Sequence, residues 1–159
     1  MAKLGSLKIV EAKKPEQKKV AVNPDSPGQK LVMAVANIRK SVGAGLPLSV
    51  YKRFLVAELK EAGVSVEQDI PFPVRYKDLT IKDAFTADIV MGRDAIVILR
   101  GDNGDADYRD EASTYLQHSG KKDAYIVNFG AKDMRKTVVK ASRRAAEITL
   151  GSNDKSKMN

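Results

Sequence analysis

The spacing of apolar positions changes along the chain. After "NPDSPGQKL" (residues 23–31), Leu31, Val35 and Ile38 recur at three- and four-residue intervals, the stripe of a helix with one covered face. Ser26 is placed to cap that helix and Pro27 suits its first turn, so the helix is predicted to begin there and end near Ser41. "GAGLP" then breaks the pattern. A second stripe, Leu48, Tyr51, Leu55 and Leu59, predicts a helix over about residues 47–62, with Gly63 as its stop.

Beyond Gly63 the period shortens. "VSVEQDIPFPVRY" reads as extended, and its two prolines suit an edge or bulged strand. "LTIKDAFTADIVMG" and "RDAIVILR" are strand-like. The second is apolar on both faces, as a central strand under helices would be. "GDNGDADYRDE" is an acidic turn leading into a helix that ends near His118. "KDAYIVNFG" reads as a buried strand, "MRKTVVKA" as a short segment that suits a strand, and "SRRAAEITL" as a helix. This order predicts an α/β (α+β) fold, a mixed sheet flanked by helices. At 159 residues one domain is expected, over residues 25–150. A basic arm or a pair of short strands over residues 1–24 would precede it, and a flexible tail over residues 151–159 would follow.

Charge adds a partner to this picture. The net charge of +8 is confined to the ends. Residues 1–30 hold seven Lys against three acids, and residues 131–159 hold eight Lys or Arg against three. The stretch between is nearly neutral. Basic ends suit a polyanion, nucleic acid before any other. The residues placed to meet phosphate are Lys13, Lys14, Lys18 and Lys19 in the arm. Near the other end they are Lys132, Arg135, Lys136, Lys140, Arg143 and Arg144. "KASRRAAE" as a helix would bring Lys140, Arg143 and Arg144 together. Such contacts carry no base information, so binding to double-stranded DNA is expected to be non-specific and salt-sensitive. No aromatics alternate with the cations, which argues against a stacking platform for single strands.

Composition removes other chemistries. Without cysteine there is no disulfide or thiol chemistry, and with one histidine, His118, no zinc site of the usual ligand set. Near a helix end His118 reads as a surface or capping residue. The acids Asp102, Asp105, Asp107, Asp110 and Glu111 lack the spacing of a calcium loop and suit a helix N-terminus. No strand precedes the Gly43–Gly45 bend, so it is not a phosphate loop. No apolar run is long enough for a bilayer or resembles a secretory leader, so an intracellular protein without membrane contact is expected.

Three segments in register carry a resemblance. "GAGLPLSVYKRFLVAELKEAG", "DIPFPVRYKDLTIKDAFTADIVMGRDAIVILR" and "EASTYLQHSGKKDAYIVNFGAK" are similar to the GxxExxY family of the PD-(D/E)XK nuclease superfamily. The resemblance implies a restriction-endonuclease-like core. It also implies an Asp and a Glu holding Mg²⁺, a Lys two residues past that Glu, a Glu on the first helix and a polar residue on the later helix. Here the Asp falls on Asp88, but the strand Glu falls on Ile98, the Lys on Arg100, the first-helix Glu on Leu48 and the later polar residue on Glu111. Ile98 and Leu48 offer no oxygen to a hard cation, and Arg100 keeps its proton.

The resemblance therefore implies a catalytically inactive nuclease-like protein, without metal or other cofactor. Its expected role is to bind DNA non-specifically, in packaging or organisation, as a homodimer in nucleoid, nucleus or virion. The alternatives are an architectural dimer or protein-interaction module, and a divergent metal-dependent nuclease. Arg100 turned toward Asp88 would make a half-buried salt bridge in the space a metal leaves. Otherwise Asp88 is a turn acid and Arg100 a strand-end cation.

Overall fold

The computed structural model describes residues 25–101 and 107–143. Two helices, α1 (Pro27–Val42) and α2 (Leu48–Glu61), precede a long hairpin of β1 (Val66–Tyr76) and β2 (Leu79–Met91). Then come β3 (Ala95–Arg100), helix α3 (Arg109–Ser119), β4 (Asp123–Asn128), a 3-10 turn (Met134–Lys136) and β5 (Val138–Ser142). One sheet holds all five strands in the order β1-β2-β3-β4-β5. β3 and β4, joined through α3, run parallel, and every other pair is antiparallel. This is the expected α/β mixed sheet flanked by helices.

Each face of the sheet has its own core. Leu31, Val35 and Ile38 of α1 and Tyr51, Leu55 and Leu59 of α2 pack on one face, against side chains such as Ile89, Val97, Leu99 and Val127. Ala112 and Leu116 of α3 pack on the other, with Val90, Ile96, Ile98 and Ile126. β3 alternates between the two, Val97 and Leu99 to one side and Ile96 and Ile98 to the other, which explains its unbroken apolar run. The proline-bearing β1 is an edge strand, and its register shifts between Phe72 and Val74.

Local chemistry sets the ends of the elements. The Ser26 hydroxyl accepts the Gln29 N–H at 3.2 Å, and Pro27 opens α1. Gly43, at φ 79°, takes the chain out of α1 in a conformation that favours glycine. Tyr51 ties the following bend together. Its hydroxyl donates to the Gly43 carbonyl at 2.6 Å and accepts from the Leu46 N–H at 3.2 Å, while its ring stacks on Phe129 at 4.3 Å.

Two expectations need correction. Leu48 is not part of the buried stripe of α2. It is the first residue of the helix and 36% exposed, lying against Gly101 just past the end of β3. Lys140 is not helical either. It lies in β5, whose pairing with β4 from Val127↔Val138 to Asp123↔Ser142 completes the sheet and outweighs helical preference. Arg144, the rest of the expected C-terminal helix, the arm over residues 1–24 and the tail over residues 151–159 lie outside the described residues.

Gly28 offers a test of this packing. A Cβ built there would overlap the Tyr125 hydroxyl, with the ring Cζ 3.1 Å away. Alanine normally favours a helix over glycine by about 1 kcal/mol, yet here the clash decides the sign. Gly28→Ala is expected to destabilise by about 1–3 kcal/mol in urea denaturation. In a Tyr125→Phe background that penalty is expected to fall below about 1 kcal/mol, because the overlapping oxygen is gone.

Tyr125 also predicts a pH dependence. Burial, with Asp123 adding, pushes its phenol up to about 12. The folded state keeps this proton where the unfolded chain has lost it, so the stabilisation is present below pH 10 and is lost as pH rises toward about 12. Denaturation at stepped alkaline pH should show this fall, and Tyr125→Phe should remove its share of the slope.

Candidate functional site

The sheet opens at Asp88. The β2–β3 ladder runs through Met91↔Ala95, Val90↔Ile96 and Ile89↔Val97, and the next pair, Asp88 with Ile98, is not formed. Instead the Leu99 N–H donates to Asp88 Oδ2 at 2.8 Å. A side-chain oxygen thus satisfies a strand amide that lacks a backbone partner. Ile98 is buried beneath α3.

On the other side of β2, Gln68 pairs with Ile89 and Ile70 with Ala87, so the same register sets Asp69 opposite Asp88. Asp69 leaves the strand conformation, with φ 57°, in the region that side chains other than glycine seldom adopt. Two facing carboxylates would repel. Lys52 of α2 answers them. Its ammonium is paired with Asp69 and lies 3.9 Å from Asp88 Oδ1, with only 18% of its side chain exposed. The cation facing Asp88 is therefore Lys52.

Arg100 turns to the α3 side. Its guanidinium is paired with Glu111 and donates to the Tyr115 hydroxyl at 3.3 Å and the Leu99 carbonyl at 3.1 Å. Tyr115 donates to Glu111 at 2.9 Å, the two being four residues apart on α3. Burial opposes the charge on Arg100, but the hydrogen bond and attraction of Glu111, aided by Tyr115, outweigh it and hold the guanidinium above its ordinary value. Burial and the Glu111 carboxylate raise the Tyr115 phenol. Among the described residues no group of three or more His, Cys, Asp or Glu is gathered as for a metal ion.

The basic residues divide into separate places. Arg135, Lys136 and Lys140 line a cleft of about 480 Å³ between β5 and the start of α3, with Arg109 and Asp107 on its other wall and Val138 and Val139 also lining it. Asp107 accepts from Arg109 through both carboxylate oxygens, and the Arg109 hydrogen bonds bring its carboxyl down to about 2. Lys136 adds to that lowering, so its charge reaches across the cleft. Arg135 is paired with Asp133 at 3.1 Å, which holds the Asp133 carboxyl below its ordinary value.

Lys132 lines a different cleft, of about 490 Å³, with Arg39 and the Gly-rich bend. Arg143 donates to the Leu116 carbonyl at 2.7 Å and the Lys121 carbonyl at 3.0 Å, joining the end of β5 to the C-terminus of α3. Lys13, Lys14, Lys18, Lys19 and Arg144 lie outside the described residues.

Sequence reasoning did not single out Lys52, Asp69, Arg109 or Tyr115 as site residues. Tyr115 had a usable signal, since it lies four residues past Glu111. The others depend on strand register and on how α3 meets β5.

A model of the PD-(D/E)XK nuclease superfamily matches residues 26–141. No curated protein and no solved structure matches the chain. The matched span starts at the cap of α1 and ends within β5, so it takes in the mixed sheet, the helices on both faces and the positions of Asp88, Ile98, Arg100 and Glu111. The chain belongs to the PD-(D/E)XK nuclease superfamily.

Proposed function

We propose that this chain is a GxxExxY-type member of its superfamily with a degenerate active site, and that it holds duplex DNA by the phosphate backbone without cleaving it. The observation that carries the reading is the Arg100–Glu111–Tyr115 cluster. Metal-dependent phosphodiester cleavage needs several carboxylate or carbonyl oxygens converging on a divalent ion. Here Glu111 is committed to a guanidinium, and one oxygen of Asp88 is committed to the Leu99 N–H. Ile98 and Leu48 have no oxygen in their side chains. These donors do not fit a divalent ion, and Arg100, held above its ordinary value, does not serve as a base.

The β5–α3 cleft supports the DNA part of the reading. Arg109, Arg135 and Lys136 come from two elements and line one cleft, where Asp107 is the acid among the described lining residues, while Lys140 joins the lining from β5 with its ammonium over the Tyr125 ring. Arginine pairs two-fold with phosphate oxygens as it does with carboxylate, so Arg109 and Arg135 can exchange their intrachain acids for DNA. Backbone contacts of this kind favour any duplex over a chosen sequence.

Two measurements test the reading. Incubated with plasmid and Mg²⁺ or Mn²⁺, the full chain is expected to leave the DNA intact. Cleavage that disappears in Asp88→Ala would overturn the proposal of a degenerate site. Duplex binding should weaken with salt at a log–log slope of about −3, since each of about three phosphate contacts contributes about −0.9. Arg135→Ala combined with Lys136→Ala should reduce that slope by about 2, equally on unrelated sequences. Binding that is absent, or unaffected by salt, would remove the DNA reading.

A further inference from the structure

We infer that the Lys52 ammonium is the resident cation of the Asp69–Asp88 carboxylate pair, built into α2 in the place where these acids would otherwise draw a divalent ion. The inference rests on the reading of the active site as degenerate. It begins with the register, which sets two acids opposite each other on neighbouring strands. Like charges so placed destabilise a sheet unless a cation lies against both. Lys52 meets that need, paired with Asp69 and 3.9 Å from Asp88.

Its anchorage is firm. Lys52 directly follows Tyr51, which is 1% exposed, stacked on Phe129 and hydrogen-bonded at its hydroxyl to Gly43 and Leu46. The Lys52 side chain is itself mostly buried, although lysine usually keeps its stem and head in water. A lysine head is a compact point charge with three donors, suited to acids on two strands at once. Each Asp88 oxygen then has a role. Oδ2 accepts the Leu99 N–H and Oδ1 faces the ammonium.

A divalent ion entering this place would be repelled by the ammonium and would find one carboxylate oxygen of Asp88 already hydrogen-bonded. The cation at this end of the sheet is thus supplied by the chain and does not depend on the metal supply. Removing the lysine would make it dependent, because two facing acids would be left without a cation.

The test is a Mn²⁺ titration of the full chain, reading free Mn²⁺ by electron paramagnetic resonance and melting temperature in parallel. The wild type is expected to show no saturable site at millimolar Mn²⁺ and no shift in melting. Lys52→Gln should gain one site and melt higher with Mn²⁺. Lys52→Glu, which adds a third carboxylate, should bind at least about tenfold more tightly than Lys52→Gln. Adding Asp88→Asn to either should abolish the gain.

If Lys52→Glu fails to fold, Lys52→Gln still decides the matter. No gain in the folded lysine variants, or a gain that survives Asp88→Asn, would overturn this inference alone. A wild-type Mn²⁺ site that depends on Asp88 would overturn it together with the degenerate-site reading.

Discussion

Asp88 lies where two strands part, and the hydrogen bond it accepts from the Leu99 amide organises this end of the molecule. The β2–β3 ladder stops at Ile89↔Val97, yet the Leu99 amide beyond it must still be satisfied. The carboxylate supplies that acceptor and is held in place by doing so. Ile98, released from pairing with β2, contributes to the core under α3, and Arg100, on the same side of β3, reaches Glu111 and Tyr115. On the other flank the facing Asp69 bends out of the strand and Lys52 comes in from α2.

On each side of the sheet a cation from within the chain answers the acids. On the α2 side one lysine serves two aspartates, and on the α3 side one arginine serves a glutamate and a tyrosine. Apart from Asp69, whose side chain is mostly exposed, these groups are partly shielded from water, so each matters less for net stability than for the damage its loss would do. Removing one member leaves its partners desolvated without compensation. The sheet and helices are thus kept with these acids answered by side-chain cations. The basic residues around the β5–α3 cleft are a separate feature, with Arg109 and Arg135 mostly exposed to water.

Much of this architecture was legible in the sequence because it obeys local rules. Ser26 and Pro27 marked the start of α1, the two apolar stripes marked the helices, and the unbroken run through Ile96–Leu99 marked a central strand. Leu48 misled because periodicity assigns a face but does not show where the covering sheet ends. Lys140 was open to two readings, a strand over "MRKTVVKA" and a helix over "KASRRAAE", and the edge offered by β4 decides for the strand.

The site was less legible because it depends on register. A hairpin turning at Lys77 and Asp78 without irregularity would set Asp69 across from Thr86. The shift between Phe72 and Val74 moves it opposite Asp88 instead. The prolines of "DIPFPVRY" suit a bulge but do not set its place or size, so the need for Lys52 could not be foreseen. Arg109 was overlooked for a similar reason, since its place beside Lys136 comes from the packing of α3 on β5.

The decisive experiment is a crystal structure of the full chain grown in Mn²⁺, with anomalous scattering measured to locate the metal. The Lys52 ammonium is expected between Asp69 and Asp88, with the Leu99 N–H on Asp88 Oδ2 and no anomalous peak within coordinating distance of Asp88. A Mn²⁺ peak on Asp88, with Lys52 displaced from the pair, would refute a resident lysine cation.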